Sequence, residues 1–296
     1  MTLTAKDLIK TKEILTARPE DSLSSALAKI HSSHDAVFVS QKNTLLGVIS
    51  PYHVLYRSHF PGATKVKNCL FLAPKLKPDT KITDIARLML EAKVYFLPVV
   101  TDSGKWLGIV SYRRLLRQLD SFKILPKPLV TIKDNLTVSQ ARNLMKTSGV
   151  ASLIVVNPTG RLTGILTRYD LSQTMDLSPA TPVKAYIKHA VATFRPADNP
   201  VTVVNQMLDR RIGSLVMINQ NYQPVGLLSI RDCLAALAHP TAAPFKQALT
   251  VKITKVKSGF EALIRSGQTA AHAVGKYKKQ ALRKSLERLS RRLKIK

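Results

Sequence analysis

Cysteine is nearly absent. Cys69 and Cys233 are the two in a chain of 296 residues. That excludes a disulfide-framed secreted fold and a cysteine-rich zinc site, and it fits a reducing, cytoplasmic setting. Acidic side chains are scarce as well: 18 Asp and Glu stand against 46 Lys and Arg, for a formal net charge of +28. Aromatics make up only 6%. No run interleaves aromatics with glycines, so base readout by stacking on a sheet is not expected. No stretch approaches the roughly 20 apolar residues of a membrane span. Met1–Asp7 shows no signal-peptide pattern. There is no Walker A loop, Gly-x-Gly-x-x-Gly, Gly-x-Ser-x-Gly or His-Glu-x-x-His. His31, His34, His53 and His59 lie near one another but lack metal-ligand spacing. The chain therefore reads as a non-enzymatic protein without a metal.

What is present is apolar substance and segregated charge. An apolar fraction of 45% supports real cores. Residues 1–125 carry 19 basic and 10 acidic side chains, residues 126–245 carry 12 and 6, and residues 246–296 carry 15 and 2. Nearly half the excess thus sits in the last stretch. A polyanion is its natural partner.

A short pattern, Gly-apolar-apolar-Ser/Thr, recurs four times. It reads Gly47-Val48-Ile49-Ser50, Gly108-Ile109-Val110-Ser111, Gly164-Ile165-Leu166-Thr167 and Gly226-Leu227-Leu228-Ser229, with glycines 61, 56 and 62 residues apart. Near-constant spacing marks duplicated units. The third unit shows their make-up. Asn135 or Thr137 can cap a helix running over Thr137–Met145, Ser152–Val156 is a β-branched run, and Asn157–Gly160 is a turn. Leu162–Leu166 is a second strand, and a helix begins at Tyr169. The others follow suit, with first helices over Ser24–Ile30 and Ile82–Leu90 and central strands over Ala36–Val39 and Tyr95–Val100. Two strands cannot bury both faces alone, so such units should pair.

This pattern resembles the cystathionine-β-synthase (CBS) domain, seen four times over about residues 10–238. The resemblance implies an α/β fold of four CBS repeats arranged as two Bateman modules in a disc: residues 1–125, then 126–239, followed by a basic linker and helix over 240–296. It also implies adenosine-nucleotide binding between paired repeats, with Ser/Thr-x-x-Asp as the signature. An ionised carboxylate offers two acceptor oxygens to the adjacent ribose hydroxyls, and a neighbouring Arg neutralises phosphate. The third and fourth repeats keep the pattern, as Thr167-Arg168-Tyr169-Asp170 and Ser229-Ile230-Arg231-Asp232. The first and second place His53 and Arg114 there. The second module is expected to take AMP, ADP, ATP or S-adenosylmethionine, and the first to bind weakly or to hold only an anion. Gly149, Val150 and Ser152, with Gly213 and Ser214, precede the central strands. By the resemblance they line the pocket, where glycine lets a base approach the backbone. A competing role for Asp170 and Asp232 is helix capping.

His239–Pro244 reads as a linker, and from Phe260 the chain lacks proline and becomes helix-compatible. Leu282, Leu286, Leu289 and Leu293 form one apolar stripe. Lys276, Lys278, Lys279, Arg283, Lys284, Arg288, Arg291 and Arg292 are the candidate nucleic-acid contacts. An anionic membrane and a coiled-coil arm compete with RNA for this segment. The stripe's lack of Trp and Phe weakens the first, and its short length weakens the second. With no sequence-specific DNA-reading motif, shape and phosphate recognition of structured RNA is the leading expectation. Its partners would be ribosomal RNA and ribosomal proteins, in a role of translation inhibition, storage or hibernation. A homodimer through the CBS modules is a further expectation. Alternatives are a nucleotide-sensing subunit docking on a metabolic enzyme or transporter, and a DNA-associated regulator.

Overall fold

The computed structural model describes residues 3–31, 34–42, 44–57, 60–120, 127, 129–172, 178–239, 249–256, 259–266 and 269–275. In the first repeat, α1 (Ala5–Leu8) and β1 (Thr16–Ala17) precede α2 (Leu23–Leu27), β2 (Val37–Gln41) and β3 (Thr44–Ile49). The second contains α3 (Ile82–Ala92), β4 (Phe96–Val100), β5 (Trp106–Ser111) and α4 (Tyr112–Leu116). The third runs β6 (Thr131–Ile132), α5 (Val138–Ser148), β7 (Ser152–Val156), β8 (Leu162–Thr167) and α6 (Arg168–Ser172). The fourth runs β9 (Thr193–Phe194), α7 (Pro200–Asp209), β10 (Ser214–Ile218), β11 (Pro224–Ser229) and α8 (Ile230–Ala238). Helix–strand–strand–helix is thus the unit of the second, third and fourth repeats, as the sequence pattern predicts, and in the first a π-helical turn over Tyr52–Arg57 follows β3. Of the two expected candidates for the third repeat's first helix, Thr137 is the cap, and the fourth repeat has one that was not expected. Thr137 and Gln140 form a capping box on α5, and Asn199 accepts from the Val201 and Thr202 amides with proline at the first helical position.

The central strands pair in a repeated way. β2 with β3, β4 with β5 and β7 with β8 are antiparallel hairpins. Each shifts register just after the valine opposite the motif glycine: Val39 with Gly47, Val99 with Gly108, Val155 with Gly164. Short strands β1, β6 and β9 add parallel pairs to β2, β7 and β10. In the second repeat a bridge between Leu76 and Val99 takes that place.

The motif glycines have a structural cause. Val48 bridges Phe71 and Ile109 bridges Lys10; Ile165 bridges Lys188 and Leu227 bridges Lys127. Each motif strand is crossed by the segment that leads into the neighbouring repeat, and the exchange is reciprocal within each consecutive pair. The crossing backbone needs room. A Cβ on Gly108 would lie 2.6 Å from the Lys10 carbonyl oxygen, and Gly108 has φ +145°. A Cβ on Gly164 would overlap Ile187. Repeats one and two, and three and four, are thus tied as pairs.

By contact density the chain forms two compact units. One comprises Met1–Phe122, Asp198–Ser214 and Ser229–Thr241. In it α3 packs on α8, Arg117 beyond α4 pairs with Asp209 of α7, and Ala17, Leu23, Val37, Ile49 and Val66 build one buried cluster. The other comprises Lys123–Ala197, Leu215–Leu228 and Ala242–Lys296. Its cores gather Val138, Ala141, Leu153, Leu166 and Val183, and Ile154, Ile165, Val216 and Ile218.

The C-terminal region corrects one expectation. Residues 260–275, read as helix-compatible, lie in strands β12 (Leu249–Val256), β13 (Gly259–Ser266) and β14 (Thr269–Gly275), an antiparallel meander. Lack of proline permits either state. Alternation such as Leu249-Thr-Val-Lys-Ile, bracketed by Gly259, Gly267 and Gly275, selects strand. Residues 276–296, where the basic helix is expected, lie outside the described residues.

Candidate functional site

The Ser/Thr-x-x-Asp segments sit where a strand ends and a helix begins. At the end of β8, the Thr167 amide and hydroxyl both donate to Asp170 Oδ2, at 2.8 and 2.5 Å, and the Asp170 amide donates back to Thr167 Oγ1 at 3.3 Å. Asp170 is buried, and its other oxygen, Oδ1, meets Lys188 Nζ at 2.7 Å. Arg168 donates from its guanidinium to the Val150 carbonyl and from its amide to the Ala151 carbonyl. Ser152 pairs with Thr167 across β7 and β8. Val150, Ser152, Thr167, Arg168 and Asp170 are therefore brought to one strand end, with Gly149 next in chain. Gly149 caps α5 with φ +67°, and nothing lies within 4 Å of where its Cβ would stand. Its glycine serves the left-handed turn.

At the end of β11 the same box closes. The Ser229 amide and hydroxyl donate to Asp232 Oδ2 at 2.9 and 2.6 Å. The Ile230 amide donates to the Gly213 carbonyl at 3.0 Å, which brings Gly213 and Ser214 beside Ser229, Arg231 and Asp232. A Cβ on Gly213 would overlap the His34 ring, so this glycine makes room for an imidazole. Thr167 and Asp170 fall in one compact unit, Ser229 and Asp232 in the other.

In the first two repeats the fourth position is spent on internal structure. His53 is buried, meets Ser50 Oγ through Nδ1 at 2.8 Å, and stacks on Phe71 with centroids 3.7 Å apart. Arg114 donates through Nη1 to the Ile9 carbonyl at 2.5 Å and the Leu8 carbonyl at 3.4 Å. The first two repeats also border a cavity of about 240 Å³, whose walls include Lys10, His31, Arg113 and Arg211 with Glu13 and Asp35. Cations outnumber carboxylates there. Lys10 is matched to Glu13 at 3.2 Å.

Three residues make contacts for which the sequence holds no local signal. Lys188 meets Asp170 from a segment 18 residues downstream, so no local motif announces it. His34 packs on Tyr95 and Tyr112, with ring centroids 4.9 and 5.9 Å away. Burial, helped by Arg113, holds its imidazole down at about 4. Burial pushes the Tyr95 phenol up to about 12, and the charges of Arg231 and Asp232 are near enough to act on it. Among the described residues no group of three His, Cys, Asp or Glu is placed to hold a metal ion, and no helix is long and apolar enough to cross a membrane. His59 and the basic positions Lys276 to Arg292 lie outside the described residues.

The comparisons with known proteins agree with this architecture. An uncharacterized protein of Methanocaldococcus jannaschii is 24% identical over 177 residues, 55% of this chain and 41% of its own. The 5'-AMP-activated protein kinase subunit gamma-3 of Sus scrofa is 22% identical over 201 residues, 58% of this chain and 39% of its own. The chain thus spans about two fifths of the length of these relatives. A crystal structure of another Methanocaldococcus jannaschii protein superposes with a TM-score of 0.63 at 18% identity, covering 80% of this chain and all of that one. The CBS-domain model matches residues 5–59, 73–121, 123–176 and 183–239. The chain belongs to the CBS-domain family, with four copies of the domain.

Proposed function

We propose that the chain is a non-catalytic regulatory protein. It senses an adenosine-type nucleotide through the Thr167–Asp170 and Ser229–Asp232 positions and grips structured RNA, the ribosome first, through its basic C-terminal region. The observation that carries the RNA half is charge segregation: residues 246–296 hold 15 basic side chains against 2 acidic ones. If about six phosphates were neutralised, affinity would fall steeply with added salt. The nucleotide half is supported by family membership and by the carboxylate–hydroxyl boxes of the third and fourth repeats. A ligand that enters there must compete with or rearrange around Lys188, whose cation is also suited to a phosphate. Nucleotide control of RNA binding requires different ligand affinity in the two states. Pairing of two chains through the CBS modules belongs to the same reading.

The test is sedimentation of the full-length chain with ribosomal particles through sucrose at low and high salt. Co-migration lost at high salt supports the proposal. Indifference to ribosomal particles in dilute buffer defeats it. Migration with a single metabolic enzyme or transporter, or retention on duplex DNA with sequence preference, selects the alternatives.

A further inference from the structure

The cavity of about 240 Å³ bordered by the first two repeats is also walled by the fourth. Lys10 comes from the first repeat, Arg113 from the second and Arg211 from the fourth, and all three lie in one compact unit. The two wall carboxylates are engaged: Glu13 meets Lys10 at 3.2 Å, and Asp35 accepts from the His31 amide at 3.1 Å. Among the described residues, Arg113 and Arg211 have no carboxylate at ion-pair distance. Arg113 gives its Nε to the Tyr112 hydroxyl at 3.1 Å, which leaves its terminal nitrogens for a ligand. Both guanidiniums gather at that phenol: burial pushes the Tyr112 hydroxyl up, and the charges of Arg113 and Arg211 oppose the rise. Like charges at one cavity repel until an anion lies between them.

The chemistry of the wall selects the ligand. A guanidinium presents paired N–H donors that match two oxygens of a phosphate. The group that would receive a ribose is missing, because the motif's fourth position is Arg114, whose guanidinium is turned to the carbonyls of Leu8 and Ile9. Leu15, Phe96 and Ile109 supply apolar wall, which lowers the local dielectric and strengthens the pull on an anion. A single water needs only about 10–15 Å³, so the cavity admits an ion of phosphate or pyrophosphate size.

Arg211 also begins a short link. Two residues on, Gly213 leaves room for the His34 ring, which packs on Tyr95 and Tyr112. The Gly213 carbonyl accepts the Ile230 amide at 3.0 Å, inside the turn that the Ser229–Asp232 box closes. We propose that the cavity is an effector site for a small phosphate-type oxyanion, clasped between Arg113 and Arg211, and that the clasp steadies the Ser229–Asp232 turn through residues 211–213. The occupant is a free oxyanion rather than a nucleotide, since no motif carboxylate is there to receive a ribose. No residue of the clasp belongs to either carboxylate–hydroxyl box, so the site stands or falls apart from nucleotide sensing.

Hydrogen exchange of the full-length chain tests it, with inorganic pyrophosphate as the probe and potassium chloride at equal ionic strength as the control. Pyrophosphate also gathers on the basic C-terminal stretch, so the place of the slowing is the readout. At saturation, amides over 109–116 and 208–214 should exchange at least about threefold more slowly, and those over 229–234 should follow, while 131–156 keep their rates. Arg113→Gln and Arg211→Gln should each abolish the slowing. No slowing over 109–116 and 208–214 in the parent chain would overturn the proposal. So would slowing that survives in both variants, that chloride reproduces, or that adenosine reproduces, since adenosine carries base and ribose but no phosphate. Slowing that stops short of 229–234 would overturn the link to the turn. Should Arg113→Gln not accumulate, Arg211→Gln decides alone, because Arg211 is exposed and its side chain makes no hydrogen bond among the described residues.

Discussion

The four motif turns divide two and two. In every repeat the Ser or Thr that ends the second strand meets the residue three positions on. In the third and fourth repeats that residue is a carboxylate, and the box closes in both directions. In the second only the hydroxyl acts, accepting from the Arg114 amide, while the guanidinium turns to the carbonyls of Ile9 and Leu8. In the first, His53 bonds Ser50 and stacks on Phe71. The backbone turn is common to all; the charge left at its tip is not. The difference teaches that the turn is a structural necessity of the repeat, and that a carboxylate there is an addition that only the second half retains.

The largest expected effect tests the part that is common. Gly108→Ala sets a side chain against the Lys10 carbonyl and the Ile9 side chain at a φ that L-residues avoid. It should cost about 3 kcal/mol in urea unfolding. Gly149→Ala, where φ is the sole obstacle, should cost about 1 kcal/mol. Equal costs would break the claim that the strand crossing, not the turn, demands the motif glycine.

The next effect concerns pH. His34 has its folded value held at about 4, below its ordinary 6.5, because burial disfavours the imidazolium. The unfolded chain therefore binds the proton first, so stability is full above pH 6.5 and drains away as pH falls toward 4. The loss should reach up to ~3 kcal/mol. Denaturation midpoints across that range, compared with His34→Gln, would show it. An identical acid slope in the variant would remove His34 as the cause.

Smaller effects sharpen the contrast itself. Asp170→Asn gives up the Lys188 ion pair and weakens the cap, at about 1–2 kcal/mol in thermal unfolding. Arg114→Ala frees the carbonyls of Leu8 and Ile9 and should cost about 1 kcal/mol, with faster amide exchange confined to residues 5–10. No change in that segment would mean that the arginine merely rests there.

The repeat was legible because its cues are local. β-branched runs such as Ser152–Val156 fall in strands, and Thr137 caps its helix. β1, β6 and β9 were not legible, because a two-residue strand has no period to detect. Over 260–275 the absence of proline permits a helix, but the alternation and the flanking glycines select strands. At the site, the Thr167–Asp170 and Ser229–Asp232 boxes could be read directly. Lys188 beside Asp170, and His34 against Gly213, could not, since each contact joins residues distant in sequence.

The contrast between the two halves is most directly tested by calorimetric titration of the full-length chain with AMP, ADP, ATP and S-adenosylmethionine. Asp170→Ala and Arg114→Ala are run in parallel. Saturable heat with at least one ligand is predicted, weakened about tenfold or more in Asp170→Ala, the loss of roughly one charge-assisted bond, and unchanged in Arg114→Ala. No heat with any of the four, or the same affinity in Asp170→Ala as in the parent chain, would contradict it.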